Sequence, residues 1–133
     1  MRVAKAIDCV GRARALFGTR FRPQGRSVEQ GLDCVGLVAA ACDVSTEVIP
    51  ADYRMAGADN GERLIDGLAR RFRKVRERRA GDVLLMRPGH DRWHLGVWTG
   101  SGLVHADMTL RAVVETPGEP AWPVVAIYRR GKV

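Results

Sequence analysis

An α+β domain, with helices first and an antiparallel sheet after them, is predicted by a change of hydrophobic period part-way along the chain. Up to Val75 the apolar residues recur three and four apart, as on one face of a helix. From Gly81 onward they come in short extended runs divided by Gly, Pro and Asp, as in a meander of strands. A length of 133 residues, 46% of them hydrophobic, suffices for one ordinary core and leaves no room for a second domain.

Val3, Ala6, Ile7, Val10, Ala13 and Phe17 share one helical face and stop at Gly18, so a first amphipathic helix is predicted over 3–17, its apolar stripe turned to the core. Residues 18–31 carry Gly, Pro, Thr, Gln and Ser without a period and read as a long loop, a kind of segment that is often functional. The run from Leu32 to Cys42 has no charge after Asp33, which describes a helix buried on all sides. Asp33 is a natural N-cap and places Cys34 in the first turn, where the helix dipole and free N–H groups favour a thiolate. Residues 44–60 hold Pro50, Gly57 and Asn60 and read as an irregular crossing. Leu64, Ile65, Leu68, Phe72 and Val75 then trace a third helix with arginines on its other face. Strands are predicted at 81–86, 93–99, 103–107, 110–115 and 124–129, with Gly100-Ser101-Gly102 as a tight hairpin turn.

Composition excludes several classes. No stretch of about 18 apolar residues occurs, so no membrane-spanning helix is expected. The first twenty residues lack the apolar run of a secretory signal, and the chain is expected to be made in the cytoplasm. Twenty-two basic and fifteen acidic residues give +7, and seven of the cations crowd residues 70–79. An anionic cell-wall polymer fits them better than nucleic acid, since aromatics are few and no nucleic-acid motif is present, while a solvated helix face needs no partner at all. Three cysteines, odd in number and without C-x-x-C spacing, signal neither a disulfide framework nor a common zinc site. Cys9 and Cys42 read as small buried hydrophobes.

Cys34, His94 and His105 are the residues that carry chemistry together. The two histidines flank the hairpin turn and are expected nearly opposite one another, sharing a face if the turn permits. Packed against Cys34, they make nucleophile, base and orienter, with the Cys34 N–H as an oxyanion donor and Gln24 as a second. The other polar candidates have structural readings. His90 sits in a polar loop, Asp82 suits a turn before a strand, and Trp93 and Trp98 suit core packing with one of them lining the cleft. A zinc site made of Cys34, His94 and His105 lacks a close pair of ligands on one element.

Five blocks in order sharpen this reading: Gly18-Thr19-Arg20-Phe21-Arg22-Pro23-Gln24-Gly25-Arg26, Leu32-Asp33-Cys34-Val35-Gly36-Leu37-Val38, Gly81-Asp82-Val83-Leu84-Leu85, His94-Leu95-Gly96-Val97-Trp98 and Val104-His105-Ala106. Together the chain resembles the NlpC-type cell-wall peptidases. The resemblance implies a papain-like fold in a single domain over 1–133, a Cys34, His94, His105 triad without metal or organic cofactor, and hydrolysis of an amide bond in peptidoglycan stem peptides. Pro23-Gln24-Gly25-Arg26 and the lack of a signal or wall-binding domain resemble the short peptidases of phage tails and gene transfer agents. Such a protein is expected to reach the wall within a tail, beside tail-tip proteins.

Two positions depart from the family pattern. Phe21 stands where Tyr is usual and Val35 where Ser is usual, both on the amino side of the cleaved bond, which puts a preference for a free amine in doubt. Asp33 is retained and is expected to be able to meet an ammonium group. Two alternatives belong to other classes: a structural tail-tip component that keeps the fold with little activity, and a thiol amidase or acyltransferase acting on another small amide. The intact triad favours an enzyme over the first, and the lack of an apolar anchor helix disfavours a lipid substrate.

Overall fold

A computed structural model describes residues 2–44, 62–89 and 92–131, with side chains from Cys9 onward in the first stretch and from Leu64 in the second. The crossing over 44–60 lies outside these residues save for Val44, as do His90 and the side chains of Val3, Ala6 and Ile7. The elements are α1 (Arg2–Ala15), β1 (Arg26–Ser27), β2 (Gly31–Leu32), α2 (Cys34–Cys42), α3 (Glu62–Arg71), β3 (Phe72–Val75), β4 (Val83–Met86), β5 (His94–Trp98), β6 (Gly102–Asp107), β7 (Ala112–Pro117) and β8 (Val124–Arg130). No helix among the described residues is long and apolar enough to cross a membrane.

Strands β3 to β8 form one antiparallel sheet in the order β3-β8-β4-β5-β6-β7, and the α+β expectation is met. Period-two alternation sorts its side chains. Val83, Leu85, Leu95, Val97, Val104, Ala106 and Tyr128 join the helices in the main core. Leu84, Met86, Trp98 and Leu103 gather on the opposite face with Trp122, Val124 and Ile127.

The buried helix α2 crosses the helix side of β5 and β6. Asp33 caps it by accepting from the Gly36 N–H at 2.8 Å, and Asp43 closes it in the left-handed conformation at φ 54°. Every residue of α2 except Ala40 is buried, which explains its unbroken apolar run. The guanidinium of Arg12 on α1 donates to the Ala41 carbonyl at 2.7 Å, tying the two helices where α2 runs out of partners for its carbonyls.

Four expectations are corrected. The third helix ends at Arg71, and Phe72–Val75 is an edge strand paired with β8. A helical spacing of apolar residues cannot exclude this, because Phe72 is buried under either assignment and the available partner strand decides. Helix α1 ends at Ala15, the chain turns at Gly18 (φ 85°), and Phe17 is left 68% exposed instead of in the core. The loop over 18–31 contains the small β1–β2 sheet. Strand β7 begins at Ala112, because Arg111 takes a positive φ of 59° and Asp107 accepts from the Leu110 N–H at 2.8 Å, making a turn of residues expected in the strand.

Candidate active site

Strands β5 and β6 bring His94 and His105 together. Val97 pairs with Val104 and Trp98 with Leu103. Carried on, this register sets Gly96 opposite His105 and His94 two residues further along the same face, so the histidines are diagonal neighbours and not opposite ones. Their rings meet edge to face, with His94 Nε2 2.9 Å from His105 Nδ1. Gly96 keeps this face open, since a Cβ there would lie 2.6 Å from the Leu103 side chain. The turn that fixes the register is held by Thr99, whose hydroxyl accepts from the Gly102 N–H at 3.0 Å and lies 3.1 Å from a Glu115 carboxylate oxygen.

Trp122, in the loop between β7 and β8, packs edge to face on both imidazoles, at 5.2 Å from His94 and 5.5 Å from His105. A cavity of about 380 Å³ opens here, lined by Trp93, His94, His105, Asp107 and Trp122 among others. His94 and His105 are both buried. Burial and the neighbouring His105 push the His94 imidazole down to about 3, with Asp107 opposing. Burial lowers His105 as well, again against Asp107. Both rings are therefore neutral at neutral pH, and a neutral pair shares one proton in their hydrogen bond. With that proton on His94 Nε2, the other nitrogen of His94, Nδ1, carries a lone pair.

Cys34 is the first residue of α2 and is fully buried. It does not line the cavity, but it belongs to the same core cluster as Trp93, which does. Around it the chain is held tightly. The Asp33 carboxylate accepts from Gly36 N at 2.8 Å, from Gln24 N at 3.0 Å and from Arg26 Nη1 at 2.9 Å. Gly36 permits this, because a Cβ on it would collide with the Gly25 carbonyl and force the 24–26 loop away from the helix start.

Of the four residues expected along the substrate, Phe21 is 8% exposed within the core, and Asp33 and Val35 have no exposed surface. Gln24 is exposed, with a positive φ of 57°; its backbone N–H is given to Asp33, and it does not line the cavity. Asp82 has the turn role read for it, accepting from Arg79 N at 2.7 Å and pairing bidentately with Arg129. Trp93 lines the cavity and Trp98 is buried under the Arg78 guanidinium. Sequence reasoning missed Trp122 and Asp107. The first carried a signal, a tryptophan between prolines in a loop; the second had none, since its place depends on the β6 register. Among the described residues no three of His, Cys, Asp and Glu stand together as metal ligands.

No protein-family model and no curated protein matches the chain by sequence. Solved structures do match by shape. The P60 domain of Mycobacterium avium subspecies paratuberculosis antigen MAP1204 superposes with a TM-score of 0.65 at 17% identity, over 96% of this chain and 95% of that one. The chain has the NlpC/P60 fold. RipB of Mycobacterium tuberculosis, a peptidoglycan hydrolase, shares this fold with a TM-score of 0.62 at 22% identity, over 97% of this chain and 65% of that one. NlpC1 of Trichomonas vaginalis shares it with a TM-score of 0.66 at 17% identity, over 94% of this chain, which spans 43% of that one. These likenesses show the fold: helices first and an antiparallel sheet after them.

Proposed function

We propose that this protein is a cysteine peptidase that hydrolyses an amide bond in peptidoglycan stem peptides, with Cys34 as nucleophile, His94 as base and His105 as orienter. The observation that carries the reading is the 2.9 Å contact between His94 Nε2 and His105 Nδ1 at the wall of a cavity, in a fold shared with the peptidoglycan hydrolase RipB. His105 fixes the His94 tautomer, so Nδ1 accepts the thiol proton. Burial keeps His94 neutral and able to accept a proton but weakens it as a base, and the negative charge that develops on sulfur offsets this by giving its imidazolium a partner. Sulfur attacks the amide carbonyl, the Cys34 N–H at the start of α2 stabilises the oxyanion, and His94 returns the proton to the leaving amine. Water then resolves the thioester by the same base. Neither metal nor organic cofactor enters these steps.

The finer reading, a phage-tail or gene-transfer-agent peptidase acting in the periplasm or wall, rests on the resemblance of Pro23-Gln24-Gly25-Arg26. A second reading, a structural component with slight hydrolysis, is favoured by the full burial of Cys34, which is not among the residues lining the cavity. Peptide release from purified sacculi, read by mass spectrometry under reducing conditions, separates the two. Release by the intact protein that vanishes in Cys34→Ala is the expected result and identifies the bond. Release by neither protein, both shown to be folded, replaces the peptidase with the structural reading.

A further inference from the structure

The cavity leaves the cationic run unused. Arg70, Arg71, Arg73, Lys74, Arg76 and Arg79 are exposed, and among the described residues none of their side chains has an ion pair. Local structure explains some of them. Arg70 and Arg71 suit the negative end of α3, and charge on an edge strand such as β3 discourages pairing with another chain. That accounts for charge on β3 but not for the place of Arg73 directly opposite Arg129 across the strands, a like-charged arrangement that costs stability. Arg129 is already held by Asp82, so Arg73 gains nothing from that carboxylate's neighbourhood beyond a screened attraction.

The place of Arg73 is as telling as its charge. Its neighbours Phe72 and Tyr128 belong to the core on the helix side. Strand alternation therefore puts Arg73 and Arg129 on the other face, the face of His94 and His105. The sheet order separates β3 from β5 by three strand spacings of about 4.8 Å, and the registers through β8 and β4 add about four residues of roughly 3.3 Å along the strands. Arg73 thus lies roughly 20 Å from the histidines on the same side of the sheet, at the edge where the other cations of the run surround it.

We propose that this rim is an exosite for the carboxylate-bearing stem peptides of peptidoglycan, holding one part of the polymer while the cavity receives the bond to be cut. This deepens the peptidase reading and rests on it. Five of the six cations are guanidinium groups, whose forked donors match carboxylates. A second attachment to the same polymer raises the local concentration of bonds at the cavity without a new contact there. Nucleic acid fits the rim less well, because the tryptophan nearest to it, Trp98, is buried beneath Arg78 and offers no stacking platform.

The test uses Cys34→Ala protein, which removes hydrolysis from the measurement, sedimented with purified sacculi freed of phosphate-bearing polymers. Charge reversal at Arg73, Lys74 and Arg76 to Glu is expected to lower sacculus affinity about tenfold or more, and raising salt from about 50 to about 300 mM is expected to weaken the unreversed protein more than the reversed one. Converting the sacculus carboxylates to amides is expected to abolish the difference. A matching set of Gln substitutions, with thermal unfolding of each variant, guards against a folding defect. Binding unchanged by reversal, or retained on amidated sacculi, overturns the exosite. Tighter binding to duplex DNA than to sacculi at equal salt overturns it in favour of nucleic acid. Binding does not depend on turnover, so loss of binding on reversal together with no hydrolysis by the Cys34-intact protein sustains the exosite and removes the peptidase. Hydrolysis with binding unaffected does the reverse.

Discussion

The two ends of α2 each present a buried cysteine, and they differ in almost every respect that matters to a thiol. Cys34 begins the helix, behind an Asp33 cap that draws in Gln24 and Arg26. There the peptide dipoles favour negative charge. Cys42 ends the helix, where the dipoles oppose negative charge, and its hydrogen bond with Cys9 and complete burial hold its thiol well above the ordinary value. One helix thus carries a thiol at the end whose dipoles favour a thiolate and another at the end whose dipoles oppose it. Burial alone does not distinguish them, since both have no exposed surface.

The comparison breaks most sharply in a rate. Cys34→Ala is expected to lower peptide release from sacculi by about a thousandfold or more, whereas Cys42→Ala leaves release within a few-fold; equal losses would remove the distinction. As the proposed orienter of His94, His105 is expected on substitution, His105→Ala, to cost about a hundredfold in turnover on a soluble muropeptide with little change in KM. A change confined to KM would instead make His105 a binding residue.

Smaller effects sharpen the comparison in stability. Asp33→Ala removes a cap and leaves the Arg26 guanidinium, 18% exposed, without that carboxylate, so a loss of about 3 kcal/mol is expected in denaturant unfolding. The histidines predict a pH dependence. The His94 value, about 3 in the folded protein, lies below its unfolded value, so its contribution to stability is complete above about pH 6.5 and is lost as pH falls toward about 3. Across that window stability is expected to fall by up to about 1.4 kcal/mol per pH unit for this group, and His94→Gln is expected to flatten the slope in pH-dependent unfolding. The smallest effect is at the surface: Arg14→Ala breaks the exposed Glu115 pair and is expected to leave the same unfolding measurement almost unchanged, since solvent screens the pair.

Much of the α2 end of the site was legible in the sequence. An acidic N-cap, a cysteine after it and an apolar run are local patterns, and a helix start is a local structure. The histidine side was legible only in part. That His94 and His105 flank one turn is plain from Gly100-Ser101-Gly102, but the diagonal offset depends on how Thr99 closes the turn. Trp122 reaches the imidazoles from a strand connection seventeen residues after His105, and no short-range pattern encodes that contact. The misread third helix has the same origin, since Phe72 could bury its ring from either a helix or a strand.

What the sequence determined by itself is therefore whatever depends on neighbours a few residues apart: the helix-then-sheet order, the capped start of α2 with Cys34 upon it, and the turn between the histidine strands. The tertiary structure alone decided which face both histidines share, that Asp33 is enclosed by Gln24 and Arg26, and that Arg73 lies on the side of the cavity. These follow from strand register and long-range packing, where a shift of one residue moves every side chain to the opposite face and only the assembled sheet selects among the registers.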